Sequence, residues 1–132
     1  QYGERLTPAM TRLQSLMKPI NLRSQLIHGD MTGNILFQDP LPPAVIDLSP
    51  YWHPREYAEA IIVVDSIVWD NAPDTIIQEL DDTFEAYQLL LRAAMWRIKT
   101  TEEYINQYGK GDIDDVDSYN HIIDLISKKL NQ

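Results

Sequence analysis

The sequence predicts an α+β protein that is mostly helical and carries a small β ribbon. Apolar residues recur every three or four positions near the start and again after Pro54, which is the period of an amphipathic helix. Between these regions, apolar residues come in short branched runs separated by Gly, Asn, Asp and Pro, as in strands joined by turns. A chain of 132 residues, 44% of them hydrophobic, suffices for one core, and no repeat or linker divides it. We therefore expect a single domain over residues 1–132.

The first predicted helix lies near the start of the chain. Its apolar stripe consists of Leu6, Met10, Leu13, Leu16 and Met17. Proline has no backbone N–H and its ring clashes with the preceding turn, so Pro19 is expected to end this helix.

The strand region follows the first helix. Its apolar runs consist of Leu26, Ile27, Ile35, Leu36, Phe37, Val45, Ile46 and Leu48. Residues 39–43 contain Asp and three prolines and predict a hairpin turn between two strands. So few apolar residues cannot form the main core, which indicates a ribbon lying across one end of a helical bundle.

Three helices are predicted after Pro54. The first is apolar over a wide arc and is expected to be buried, with Ala58, Ile61, Ile62, Val64, Ile67 and Val68. The second is expected to start at a capping-box pattern formed by Thr75 and Gln78. Its apolar positions are Ile76, Ile77, Leu80, Phe84, Tyr87, Leu91, Ala94, Met95 and Ile98. The third follows a loop marked by Gly109 and Gly111. Its apolar positions are Val116, Tyr119, Ile122, Ile123, Ile126 and Leu130, and Lys128 and Lys129 suit its negative C-terminal end.

Composition limits the partners and the compartment. The formal charge of -9 disfavours nucleic acid and anionic membrane surfaces, because both are polyanions, and favours a cationic or neutral small molecule. The absence of cysteine excludes disulfides and thiolate metal sites. No apolar run approaches the roughly 20 residues of a membrane helix, and no signal segment opens the sequence. A cytoplasmic protein is expected.

Two acids and an amide stand where predicted strands meet loops. Asp30 follows an apolar strand, Asn34 precedes the next one, and Asp47 lies at the end of a third. At the ends of neighbouring strands, one carboxylate could accept a proton from a hydroxyl while the amide and the other carboxylate hold Mg²⁺. Phosphoryl transfer needs this division of roles, because it depends on positioning and on charge neutralisation.

These residues resemble the catalytic core of the aminoglycoside phosphotransferase and choline kinase type of small-molecule kinase. The resemblance rests on His28, Gly29 and Asp30, on the downstream Asn34, and on the Ile46 and Asp47 pair, and it covers about 25 contiguous residues directly. It implies a kinase-like C-terminal lobe whose β ribbon carries the catalytic loop. It further implies that Asp30 is the catalytic base, that Asn34 and Asp47 bind Mg²⁺, and that His28 supports the loop by hydrogen bonds. The implied cofactors are Mg²⁺ and ATP, and the implied substrate is a small-molecule hydroxyl compound.

Two features depart from the family pattern. Three residues separate Asp30 from Asn34, where the family usually has four, and Gly33 would allow the tighter turn. In addition, only about 25 residues precede His28, and they contain neither a glycine-rich hairpin nor a strand lysine to grip the phosphates. We therefore expect that the nucleotide-gripping N-terminal lobe is absent from this chain and is its missing partner.

Two other classes of function stay open at this point. A kinase-like module that no longer catalyses could serve as a binding or scaffolding domain, which the shortened loop would allow. Alternatively, the chain is a helical interaction domain in which the His-Gly-Asp match is accidental, and Asp30 and Asp47 then point apart.

Two further groups of residues are expected to be structural. The acids Asp112, Asp114, Asp115 and Asp117 do not fit a calcium loop, because Ile123 stands where a bidentate glutamate is needed; they are expected to favour the positive end of the last helix. The tryptophans Trp52, Trp69 and Trp96 are expected to be core or interface aromatics, since no basic residues interleave with them.

The segment 51–55 follows Asp47 closely and is expected at the mouth of the site. There Arg55 could contact a substrate or the missing lobe. The alternative interpretation is that Pro50 and Pro54 end a strand and start a helix, with Trp52 packed beneath.

Overall fold

The structure, a computed structural model, describes residues 2–109 and 113–131 and confirms an α+β protein that is mostly helical. The chain begins with helix α1 (Tyr2–Leu16) and continues with strands β1 (Ser24–His28), β2 (Ile35–Gln38), β3 (Leu41–Val45) and β4 (Pro50–Pro54). Helix α2 (Arg55–Val68), a 3₁₀ segment (Asp74–Glu79), helix α3 (Phe84–Tyr108) and helix α4 (Ile113–Leu130) complete it.

Helix α1 ends where the sequence predicted, three residues before Pro19. Its C-terminal end is held by Gln88, whose side chain is fully buried. The Gln88 amide nitrogen donates to the carbonyl of Leu16 at 3.0 Å, and its amide oxygen accepts from the backbone N–H of Lys18 at 2.8 Å. These bonds satisfy backbone groups that the end of a helix leaves without an internal partner.

The four helices form the core. Helices α2 and α3 pack against each other, and α1 and α4 pack on α3. The largest fully buried apolar side chains are Leu6, Leu13, Ile61, Leu89, Leu90, Leu91, Ile98, Tyr119, Ile122, Ile123 and Ile126. The predicted apolar faces of α1, α2 and α4 are therefore confirmed over the described side chains.

The strands form two separate two-stranded antiparallel sheets instead of one ribbon. Strand β1 pairs with β4, and β2 pairs with β3. The predicted hairpin exists, but its turn is shorter than residues 39–43, because Pro42 and Pro43 lie within β3. Each sheet has only two strands, so both prolines sit on an edge, where a missing N–H is tolerated.

The predicted start of the long helix is wrong. The chain forms the 3₁₀ segment at Thr75 and Gln78, breaks after it, and begins α3 only at Phe84. Thr83 caps this helix, accepting a hydrogen bond from the backbone N–H of Ala86 at 3.1 Å. Phe84, expected on the buried face, therefore lies in the first turn and is 47% exposed.

Other expectations about loops and aromatics have mixed outcomes. Gly109 adopts φ 65° as it ends α3, but Gly111 and Asp112 lie outside the described residues, as do the side chains of Asp114 and Asp115. Trp52 and Trp69 are not core residues, with exposed fractions of 70% and 47%. Pro54 ends a strand and precedes α2, whereas Pro50 begins β4, and the exposed Trp52 does not pack beneath the helix. No helix in the described ranges is long and apolar enough to cross a membrane.

Candidate catalytic loop and the groups that hold it

The loop between β1 and β2 and the turn between β3 and β4 are bound to each other through the backbone. The N–H of Gly29 donates to the carbonyl of Ser49 at 2.8 Å, and the N–H of Ile46 donates to the carbonyl of Asn34 at 2.9 Å. These two bonds bracket Asp47 on both sides in the sequence. The residues 28–34 and 46–49 thus form one hydrogen-bonded unit that contains all four residues singled out from the sequence.

His28 connects the two segments through its imidazole ring. Its Nδ1 accepts the backbone N–H of Asp30 at 3.0 Å, so the proton of the neutral ring lies on Nε2. The Nε2 atom lies 3.1 Å from the carbonyl oxygen of Ile46 and donates to it. One ring therefore connects the backbone beside Asp30 to the backbone beside Asp47.

Asn34 closes the loop onto Asp30. Its Nδ2 donates to the carbonyl of Asp30 at 2.7 Å and lies 3.4 Å from Oδ2 of the same residue. A turn bond of 2.9 Å joins the N–H of Asn34 to the carbonyl of Met31, and Gly33 adopts φ 80°, where a side chain would be strained. The loop with three intervening residues therefore brings Asn34 back to Asp30, and among the described residues the amide oxygen of Asn34 accepts no hydrogen bond.

Asp47 occupies an unusual backbone conformation for a residue with a side chain. Its φ is 49°, in the left-handed region that aspartate tolerates better than most residues. Its side chain is exposed, and within the described part of the chain its carboxylate makes no hydrogen bond or ion pair. Both of its oxygens are therefore available to a ligand.

The donor set suits Mg²⁺ in its chemistry. A carboxylate and an amide oxygen are hard ligands, and Mg²⁺ usually takes one or two protein ligands together with phosphate oxygens and water. The described residues contain no cluster of three or more His, Cys, Asp or Glu side chains that would form an all-protein cage. The amide oxygen of Asn34 and the carboxylate of Asp47 are of the ligand types that a magnesium ion would need here.

A buried ion pair between α2 and α3 contacts the side chain of Asp30. Arg97 of α3 donates to Asp65 of α2 through Nε at 2.6 Å and through Nη2 at 2.7 Å. The same Nη2 reaches Oδ1 of Asp30 at 3.3 Å. Arg97 is 8% exposed and Asp65 is 1% exposed, so both charges are removed from water. The guanidinium joins the loop to the two central helices.

Burial and pairing act in opposite directions on this pair. Burial raises the pKa of the Asp65 carboxyl, while the hydrogen bonds and charge of Arg97 lower it. Burial acts to lower the pKa of Arg97, but Asp65 and Asp30 outweigh it, and the pKa is raised. The two short bonds hold Asp65 as a carboxylate beside a permanently charged guanidinium.

Two indole rings and a hydroxyl complete the surroundings of Arg97. Its guanidinium carbon lies 4.8 Å from the ring centre of Trp96 and 5.2 Å from that of Trp69, which are cation–π distances. The buried Thr32 hydroxyl adjoins Asp65 and helps to lower its pKa, although it makes no hydrogen bond of good geometry within the described residues. Trp69 is partly exposed but therefore contacts the Arg97 guanidinium.

The sequence reasoning missed both Asp65 and Arg97. A signal existed, because Asp65 interrupts the apolar run of α2 between Val64 and Ile67, and a charge on a buried face requires a partner. The identity of that partner was not readable, since Arg97 lies 32 residues further along the chain.

A small aromatic pocket lies against the loop. Four rings line it, those of Tyr51, His53, Tyr57 and Trp96, and its volume is about 130 Å³. Gly29 is the residue of the loop that adjoins the pocket. A Cβ at this position would lie 2.5 Å from the Tyr51 ring and 3.5 Å from the Trp96 ring. Arg55, expected near the mouth, is exposed and lies 3.5 Å from Glu56.

Comparison with known proteins gives no relative. Protein-family models, curated proteins and solved structures were each searched, and none of them matches this chain.

Proposed function

We propose that the unit formed by residues 28–34 and 46–49 is the catalytic part of a phosphotransferase that transfers the ATP γ-phosphate to a hydroxyl of a small molecule. The observation that carries the proposal is the hydrogen-bonded bracket around Asp47. Bonds from Gly29 to Ser49 and from Ile46 to Asn34 join the two segments on either side of it. The residues of the motif thereby belong to one unit, as a kinase-like C-terminal lobe would require.

Asp30 is the proposed general base. Its side chain is half exposed, and Arg97 and Asn34 fix its direction from two sides. In the reaction its carboxylate accepts the proton of the acceptor hydroxyl as that oxygen attacks the γ-phosphorus of ATP, and the bond from this phosphorus to the bridging oxygen breaks and releases ADP. Phosphoryl transfer asks little covalent chemistry of the protein and depends on alignment, so a base held by two contacts suits the task.

Asn34 and Asp47 are the proposed ligands of Mg²⁺, which supplies neutralisation of the phosphate charge when it is bound. The Asn34 amide nitrogen is engaged by Asp30, which directs the amide oxygen to the ligand role. His28 is a positioning residue, because both of its ring nitrogens are used in bonds to the backbone.

The test uses the complete product of the gene, including any residues encoded before Gln1. Transfer of labelled γ-phosphate to a panel of hydroxyl compounds is measured together with binding of Mn²⁺ and ATP, since Mn²⁺ reports on a magnesium site by paramagnetic broadening. Asp30→Asn is expected to lower turnover by at least about 10²-fold while metal and nucleotide binding persist. Asp47→Ala is expected to abolish metal-dependent nucleotide binding.

A matched control is Asp124→Ala, which removes an exposed acid of α4 that pairs with Arg12 of α1 and has no contact with the loop residues. It is expected to behave as wild type in every assay. Full turnover in Asp30→Asn or in Asp47→Ala would refute the assignment. Metal binding without turnover in the wild-type protein would favour the alternative, a kinase-like module that binds but does not catalyse.

A further inference from the structure

The four rings that line the aromatic pocket contact one another in a cycle. Tyr51 contacts His53 with ring centres 6.4 Å apart, and His53 contacts Tyr57 at 4.8 Å. Tyr57 contacts Trp96 at 6.4 Å, and Trp96 returns to Tyr51 in an edge-on contact of 5.4 Å. Each ring therefore touches two others of the set, and the four of them surround one cavity.

The volume of the pocket corresponds to about one ring. Its volume is about 130 Å³. A cavity of about 150 Å³ is enough to hold a benzene molecule. This volume suits a single six-membered ring that lies with one face or edge against the aromatic walls and directs its substituents toward the open side of the pocket.

The groups around the pocket disfavour a charged occupant. Burial raises the pKa of Tyr57 to about 12, and the nearby charges of Arg97 and Arg92 act against this rise, so two cations lie within electrostatic reach of the cavity. The Arg97 guanidinium also lies over the Trp96 ring, so this ring already makes a cation–π contact within the protein. An anion is disfavoured by the negative faces of the rings and by the formal charge of -9.

Polar atoms at the pocket can still recognise hydroxyl groups. In the described part of the chain, the hydroxyls of Tyr51 and Tyr57 and the imidazole of His53 make no hydrogen bond. The raised pKa keeps the Tyr57 hydroxyl neutral, so it can both donate and accept. A neutral ring with C–H faces can pack against the aromatic walls. Hydroxyl groups at the edge of that ring can form hydrogen bonds with the polar atoms of the pocket.

We infer that the pocket of Tyr51, His53, Tyr57 and Trp96 binds a neutral, hydroxylated six-membered ring of the sugar type and is the acceptor subsite of the proposed phosphotransferase. Only the assignment of the pocket as the acceptor subsite rests on the proposed function; the binding of the ring does not. The pocket adjoins the loop through Gly29, whose neighbour in the chain is the proposed base Asp30. A ring seated there lies beside the residue that would take its hydroxyl proton.

The test measures binding without Mg²⁺ or ATP. Methyl β-glucopyranoside is the neutral ring probe, and tetramethylammonium is a cationic probe of smaller size; both are titrated against the complete protein by saturation-transfer NMR. We expect a dissociation constant in the millimolar range for the glucoside and no saturation by the cation. Tyr51→Ala and His53→Ala are expected to weaken glucoside binding about tenfold each, the loss of one stacking ring.

Trp52→Ala is the matched control. Trp52 lies between the two pocket residues of β4, is 70% exposed and does not line the pocket, so its removal is expected to leave glucoside binding unchanged. Tighter binding of tetramethylammonium than of the glucoside, or equal losses in all three variants, would overturn the inference.

Failure of this inference is distinguishable from failure of the proposed function. If the glucoside binds as described but no phosphate is transferred to any hydroxyl compound, the pocket stands and the phosphotransferase does not. If phosphate is transferred but Tyr51→Ala and His53→Ala leave KM unchanged for every ring acceptor, the phosphotransferase stands and the subsite is refuted.

Discussion

Replacement of Arg97 by methionine tests the ion pair that joins the loop between β1 and β2 to the helices. Methionine keeps much of the length of the side chain but removes the guanidinium. Asp65, which is 1% exposed, would then lose both of its short hydrogen bonds and remain in the interior between α2 and α3. Asp30 would lose its contact with Nη2 as well.

The size of the effect follows from burial. Removal of one partner of a buried ion pair costs about 3 to 5 kcal/mol, because the remaining charge is left without compensation. A domain of this size is stable by about 5 to 15 kcal/mol, so the variant should stay folded but with much of its stability lost. Urea unfolding followed by far-UV circular dichroism measures the difference without relying on Trp69 and Trp96, which contact the altered side chain.

The loss should depend on pH. Burial raises the folded-state pKa of Asp65, and in Arg97→Met the opposing bonds are absent. Because that pKa then lies above the unfolded value, the stability of the variant is retained at low pH and is lost as pH rises through the folded-state pKa. The difference from wild type should therefore be larger at neutral than at mildly acidic pH. A second change, Asp65→Leu, should remove this pH dependence and restore most of the stability.

Arg12→Met is the control, since Arg12 pairs with Asp124 at 2.7 Å on the surface and both side chains are about half exposed. Its expected cost is below about 1 kcal/mol. Equal stabilities of Arg97→Met and Arg12→Met at neutral pH, with no change on acidification, would refute the reasoning.

Three further predictions concern packing and titration. Gly29→Ala should lower the unfolding free energy by about 1 to 3 kcal/mol, because the new Cβ meets the Tyr51 ring at 2.5 Å, and a second change to Tyr51→Ala should relieve the loss in the same urea assay. Leu91→Ala, at a fully buried position of α3, should cost about 2 to 5 kcal/mol, whereas Phe84→Ala should cost far less; similar melting midpoints would contradict the burial. Burial and the neighbouring Asp82 raise the pKa of Tyr87 from 10.0 to about 12, so its contribution to stability is present below pH 10 and is lost as pH rises toward 12. As pH rises from 10 toward 12, the Tyr87→Phe variant should therefore lose less stability than the wild type. Equal losses in the two proteins would contradict this prediction.

Periodicity was sufficient to predict the helical core. The buried positions of α4, among them Tyr119, Ile122 and Ile126, follow from their spacing, because side chains three and four apart lie on one face of a helix. The start of α3 could not be obtained in this way. Over a segment as short as Asp74–Glu79, a 3₁₀ turn and an α-helix present apolar residues at similar spacings, and Thr75 and Thr83 both precede a possible first turn.

The motif residues and their order were readable from the sequence by itself, as were the predominance of helices and the apolar faces. The sequence did not determine which surfaces would be covered. Trp52 and Trp69 are exposed, since burial depends on what packs against a residue and not on its own hydrophobicity.

Only the tertiary structure decided how the loop between β1 and β2 is supported and what lies beside it. The contact of Arg97 with Asp65 and Asp30, and the ring formed by residues from β4, α2 and α3, join positions that are distant along the chain. Such contacts depend on how helices and strands dock. Local pattern specifies the elements, whereas docking specifies which of their side chains meet.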